Sequence, residues 1–267
     1  MKLQKMVLLL LGAMISLPVG SLNGFAQADK TYQQMSRAER SAFVATQARK
    51  IAREISAREY DFTPGFEEDI QEALNNYNRR LGSSAKRDAR VVFERGRSHA
   101  STLMAPFRAR NLSPLFGLYI PFIESEYVNI ESPNSMGAIG MFQFLPQTGE
   151  KYGLSPQDLL DVAKSADAAA QYIADSLDTF KNDPMKEALA VLAYNRGAHK
   201  TLRDMKVLVN DQNKKCSICA LSADRSKLDE TFKSENVFYV PRFFAAAIIG
   251  ENPQSFGLEM QPLSSTR

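Results

Sequence analysis

Apolar positions recur at three- and four-residue spacing through most of the chain, which predicts helix after helix. Ser36-Arg37-Ala38-Glu39 has the form of a capping box, and Val44, Ala48, Ile51 and Ile55 follow it on one face. Thr63 is placed to cap a second helix with Pro64 at its first position, and Phe66, Ile70, Leu74, Tyr77 and Leu81 form its apolar stripe. The same period runs through Asp167 to Phe180, Met185 to Tyr194 and Val237 to Ile249, all rich in Ala. No alternating run bounded by hairpin turns is long enough for a substantial sheet. The predicted class is all-α, or nearly so.

The first residues break this pattern. Met1 to Lys5 form a basic start, an apolar run extends to Gly20, and Ala26-Gln27-Ala28 supplies small residues of a cleavage site. The expectation is a signal peptide over 1–28, cut before Asp29, and hence an exported protein of the periplasm or cell envelope. Pro18, Gly20 and Asn23 leave the apolar stretch shorter than the roughly 20 residues that span a bilayer. A helical N-terminal region is expected over 29–110, a second domain, where Pro, Gly and aromatic positions concentrate, over 111–255 and a tail over 256–267.

Composition adds exclusions. The 267 residues are 44% hydrophobic and 24% charged, an ordinary globular balance. The formal charge of +3 falls by two when Lys2 and Lys5 leave with the leader, so nothing points to nucleic acid. The Arg side chains at 79, 80, 87, 90, 95, 97, 108 and 110 are read as solvated helix faces in preference to a site for an anionic polymer. Cys216 and Cys219 are read as a local disulfide, since a redox motif lacks its βαβ setting. With only His99 and His199 elsewhere, no metal and no cofactor are expected.

One stretch carries chemistry. Leu118, Ile120, Phe122 and Ile123 lead directly into Glu124. A carboxylate at the end of a buried segment is costly unless it is paired or kept protonated. Glu126, two residues on, is read as pointing away into solvent if the helix continues. Downstream, Gly137, Ala138 and Gly140 admit close backbone approach, and Gln143 offers both donor and acceptor. Such a loop suits a polymer lying against it, or a tight turn packed on a helix.

Together these residues carry a resemblance. Glu124-Ser125, the Gly137-Ala138-Ile139-Gly140 turn, Gln143 to Pro146, Tyr194-Asn195, and Glu235 with Tyr239-Val240-Pro241 resemble the successive motifs of soluble lytic transglycosylase (SLT) domains of glycoside hydrolase family 23. The similarity extends over about Leu112 to Ile249 and is nearest to the membrane-bound transglycosylase D type. It implies a lysozyme-like helical domain that binds peptidoglycan glycan strands, with cell-wall machinery as a further partner.

The resemblance assigns Glu124 as the single catalytic acid and base. It assigns Ser125, Gln143, Tyr194, Asn195, Glu235 and Tyr239 to substrate binding, with Tyr194 close to the acid. The bond cut would be the β-1,4 link between N-acetylmuramic acid and N-acetylglucosamine, leaving 1,6-anhydro ends. Alternatives are a hydrolytic, goose-lysozyme-like muramidase, with Glu131 or Glu235 as second carboxylate, and a non-catalytic wall-binding protein. Departures from the family pattern are an extra residue between Glu124 and Gly137, Asn134 and Ser135 at a position usually held by Ser, Phe142 in place of Trp or Met, and Arg196-Gly197-Ala198-His199 after the Tyr-Asn pair. No wall-binding LysM module is recognised.

Overall fold

Two helices with no polar face organise the protein. In the computed structural model, which describes residues 30–80, 88–210 and 212–266, these are α4 (Pro114–Ser125) and α10 (Tyr239–Glu251). Every residue of α4 from Leu115 to Ile123 is buried, as is nearly all of α10. A helix apolar all round belongs in a core, and the other elements wrap these two. Tyr119 donates to Glu251 at one end of the pair and Tyr239 to Glu124 at the other, so the two helices run antiparallel.

The N-terminal helices cover this pair. α1 (Arg37–Ser56) and α2 (Pro64–Asn78) begin at the caps read from sequence: Ser36 closes a capping box with Glu39, and the Thr63 hydroxyl accepts from Phe66 N. Both pack on α10. α3 (Ala89–Ala109) lies along α4, and Gly117 allows the approach, since a Cβ there would collide with the Leu103 carbonyl oxygen. Leu81 and Arg87 fall outside the described residues, as do residues 1–28 and the leader expected there.

After α4 come a loop, the short α5 (Pro146–Glu150), then α6 (Val162–Thr179), α7 (Lys186–Arg196), α8 (Ala198–Leu208) and α9 (Ser217–Ala223). α6 starts five residues before the sequence expectation, because Asp161 caps it by accepting from Ala163 N and Lys164 N. A π-helical turn, Phe232–Asn236, leads into α10. Among the described residues no strand forms, only an isolated bridge between Ile139 and Phe144. The helical class is as expected. Cys216 and Cys219 are joined in a disulfide.

Buried residues from Tyr32 to Leu263 form one hydrophobic core. Phe256, Leu258, Met260 and Leu263 are part of it, and Ser264 donates to Glu251. Four of the arginines expected on solvated faces instead tie segments together. Arg110 grips Asp167 with two bonds of 2.7 and 3.0 Å, Arg97 reaches Gln261 O, Arg108 reaches Ser264 O, and Arg80 pairs with Glu126. A guanidinium carries five donors in a planar fork, which lets one side chain bridge two elements.

Candidate active site

Glu124 stands one residue before the end of α4. The helix stops because Glu126 and Tyr127 both adopt left-handed backbone, φ 52° and 61°. Two such residues in succession cost of order 1 kcal/mol each and persist only where their surroundings hold them. Here Arg80 grips the Glu126 carboxylate through two bonds of 2.6 and 2.9 Å, Arg95 donates to its carbonyl, and Tyr127 is buried against Phe122. Phe122 is also ringed by Tyr77 of α2 and Phe93 of α3. The turn that ends the helix is thus fixed by three elements at once.

This corrects the reading of Glu126 as a solvated residue. The helix does not continue to it, so the geometry that would have turned it outward does not apply. Glu126→Gln should cost about 1 kcal/mol of stability through its bidentate, half-exposed pair while leaving turnover intact. A thermal melt beside a rate assay checks this: an unchanged melting temperature would mean that the pair carries no weight.

The Glu124 carboxyl is partly buried and receives the Tyr239 hydroxyl at 2.5 Å. Burial pushes its pKa up to about 7, against the lowering influence of the Tyr239 hydrogen bond and the positive Arg242. Tyr239, itself buried, has its own pKa held well above the usual phenol value by burial and by Glu124, so it stays a donor. Tyr239, read from sequence as substrate-binding, thus has its hydroxyl on the Glu124 carboxyl. The resemblance put Tyr194 close to Glu124, and the Glu124 charge does reach its phenol. The Tyr194 hydroxyl donates to Phe142 O at 3.0 Å, and its ring packs on Phe144 and Tyr172.

The loop facing the acid is built from backbone bonds. Asn134 Oδ1 accepts from Met136 N and Ala138 N, Ile139 N donates to Phe144 O, and Gly140 N donates to Ile130 O. Asn134 thus shapes the turn, at the position where the family pattern has Ser. Gly140 has φ 80°, and a Cβ there would collide with the Leu159 carbonyl oxygen, so glycine is required on both counts. Ser125 fastens this loop to α4, its hydroxyl 2.7 Å from Met141 O. That bond gives it a structural duty. Gln143 donates to Gly140 O at 2.7 Å.

A cleft of about 310 Å³ opens beside the acid. The loop supplies Gln143 to its wall, α7 supplies Tyr194 and Asn195, and the π-helical turn supplies Glu235. Four of the residues expected from sequence therefore come together in one cleft. Glu124 adjoins it and is not part of its wall; Tyr194 links the two, since burial and then the Glu124 charge raise the Tyr194 phenol. Asn195 accepts a bond from Asn236, which fixes the exposed amide at the rim. Glu235 and Glu131 are both exposed, and no ion pair reaches Glu235 among the described residues.

Sequence reasoning missed the arginines. Arg196 is buried and bonds Asp204 on α8, Asp229, and Asn236 on the π-helical turn. Its planar face lies over Phe232. Arg242 donates to Ile123 O at 2.8 Å and to the Tyr77 hydroxyl at 3.2 Å. The available signal was a lone charge inside an apolar helix, in Ala-Tyr-Asn-Arg and in Val-Pro-Arg-Phe, where burial demands partners.

With this geometry established, comparison with known proteins is informative. Residues 106–216 match the family model of the transglycosylase SLT domain. The matched SLT segment holds Glu124, Gln143, Tyr194 and Asn195, and ends before Glu235, Tyr239 and Arg242. Among solved structures, the chain is similar to the X-ray structure of an inactive mutant of the lytic transglycosylase Slt from Pseudomonas aeruginosa, with 21% identity and a TM-score of 0.49. That similarity covers 74% of this chain and 32% of the other, so this chain spans about a third of that protein. Among curated proteins, none matches.

Proposed function

We propose that the protein is a peptidoglycan lytic transglycosylase of glycoside hydrolase family 23, of the membrane-bound D type. The observation that carries this reading is a single carboxyl, Glu124, poised between its two charge states near neutrality beside a cleft within an SLT-matched segment. A proton donor works best when its pKa lies near the operating pH.

In this reading Glu124 gives its proton to the glycosidic oxygen between N-acetylmuramic acid and N-acetylglucosamine as the bond breaks. The resulting carboxylate takes the proton of the muramic acid C6 hydroxyl, whose oxygen closes onto C1. The product is a 1,6-anhydro end, no water is consumed, and Glu124 is restored to its protonated form. Tyr239 keeps the carboxyl aligned through both transfers, and Gln143 and Asn195 offer amide groups to sugar hydroxyls and acetamides. A pair of carboxylates about 5–9.5 Å apart would be needed for the hydrolytic routes. Glu126 is held by Arg80, whereas the exposed Glu235, in the cleft wall, is the available partner for the hydrolytic alternative. Export to the periplasm, resting on the leader pattern, would bring the enzyme to its substrate.

Mass spectrometry of muropeptides released from purified peptidoglycan tests the reading. Ends lighter by one water than reducing ends are expected. Reducing ends would make the protein a hydrolase, and no release at all would leave a wall-binding role.

A further inference from the structure

Among the described residues, Arg242 is the one cationic side chain that both approaches Glu124 and touches the helix carrying it. It sits three residues after Tyr239, on the same face of α10, so the two residues that address Glu124 are stacked one turn apart. Its guanidinium donates to Ile123 O, the carbonyl immediately before Glu124, and to the hydroxyl of Tyr77 at the end of α2. Tyr77 is buried and its ring stands edge-on to Phe122 at 5.0 Å, so it is fixed by the core. The chain of contacts Tyr77, Arg242, Ile123 and Glu124 joins an N-terminal helix to the acid. Tyr77 and Arg242 both lie outside the SLT-matched residues.

We infer that Arg242 is a positioning residue for the Glu124 carboxyl and that Tyr77 holds its guanidinium in place, so that α2 is part of the catalytic apparatus. The inference rests on the reading of Glu124 as the proton donor. The groups facing Glu124 are Tyr239 and Arg242 from α10 and Tyr194 from α7, with the Arg80–Glu126 pair near Tyr77 beyond them. Both phenols are neutral throughout the working range because burial raises them. Arg242 is then the charged group left to oppose the burial of the carboxyl. Without it, burial acts with less opposition and Glu124 should hold its proton to higher pH.

The test reads Glu124 directly, independently of any reaction. In protein carrying carboxyl-labelled ¹³C-glutamate, the Glu124 resonance is identified by its loss in Glu124→Gln and titrated in the wild type, Arg242→Gln, Arg242→Lys and Tyr77→Phe. The midpoint should rise by about one pH unit in Arg242→Gln, stay near the wild-type value in Arg242→Lys, and rise by less in Tyr77→Phe. On peptidoglycan, the high-pH limb of the rate should move in the same order, with kcat falling more than KM changes.

A midpoint unmoved in Arg242→Gln would overturn the inference even if that variant melts at lower temperature, because a purely structural arginine would lower stability alone. If Arg242→Gln does not fold, Tyr77→Phe decides. It deletes one oxygen and keeps the ring, and an unmoved midpoint there overturns the part assigned to α2. Failure of the wild type to cleave peptidoglycan would defeat the proposed function while leaving the titration result readable.

Discussion

Glu124→Gln should fold, bind glycan strands and lose turnover by about 10²–10⁴-fold, the usual share of a positioned general acid. The amide fills the same volume and still accepts the Tyr239 hydrogen bond, but it has no acidic proton to donate. The wild-type rate should fall as pH rises through about 7, where Glu124 loses its proton. A rate profile flat from pH 6 to 9, or a variant that retains activity, would remove Glu124 from the site.

The same substitution has a stability signature. In the fold the carboxyl is pushed up to about 7 from 4.5 for a free glutamate, so the stability linked to its protonated form is complete below pH 4.5 and is lost as pH rises through 7. An amide pays no such penalty. Allowing for partial exposure, the stability of the variant relative to wild type should improve by about 1–3 kcal/mol between pH 4 and pH 8. Urea denaturation at the two pH values measures this difference, and a margin independent of pH would show that Glu124 is not strained by burial.

Arg196→Met should be the most damaging change at the cleft rim. The Arg196 side chain is 1% exposed and that of Asp204 4%, so removing the cation strands a buried carboxylate. Breaking such a pair from one side costs about 3–5 kcal/mol, or a fall in melting temperature of about 10 °C in a chain of this size. Asp204 belongs to α8, Asp229 precedes the π-helical turn and Asn236 ends that turn, so the loss also frees the wall carrying Glu235. KM should rise with the loss of stability. Calorimetry and steady-state rates check this together, and a melting temperature within 2 °C of wild type would mean that the network holds little.

The helices were legible where local signals suffice. Ser36 and Thr63 cap as their sequence predicts, and the apolar stripes of α1 and α2 are buried. Glu124 was legible because a carboxylate after a run of apolar residues is chemically conspicuous. What could not be read is what depends on distant pairing. The antiparallel contact of α4 with α10 puts residue 239 on residue 124, and no local period encodes that separation. For the same reason the sequence reading assigned Tyr239 to the site but not to a hydrogen bond with Glu124. Glu126 was misread because the stop after Ser125 depends on Arg80, just past α2, and Arg95 of α3, side chains distant in sequence.

The antiparallel core pair has a consequence for how such a unit can be inherited or transplanted. Helix α4 is apolar on every side, and part of what covers it lies beyond either end of residues 106–216. A gene fragment limited to those residues would carry Glu124 but neither Tyr239, which donates to its carboxyl, nor the helix α10 that packs on α4. The portable cassette in this protein is therefore larger than the recognisable signature, since one core runs from Tyr32 before α1 to Leu263 beyond α10.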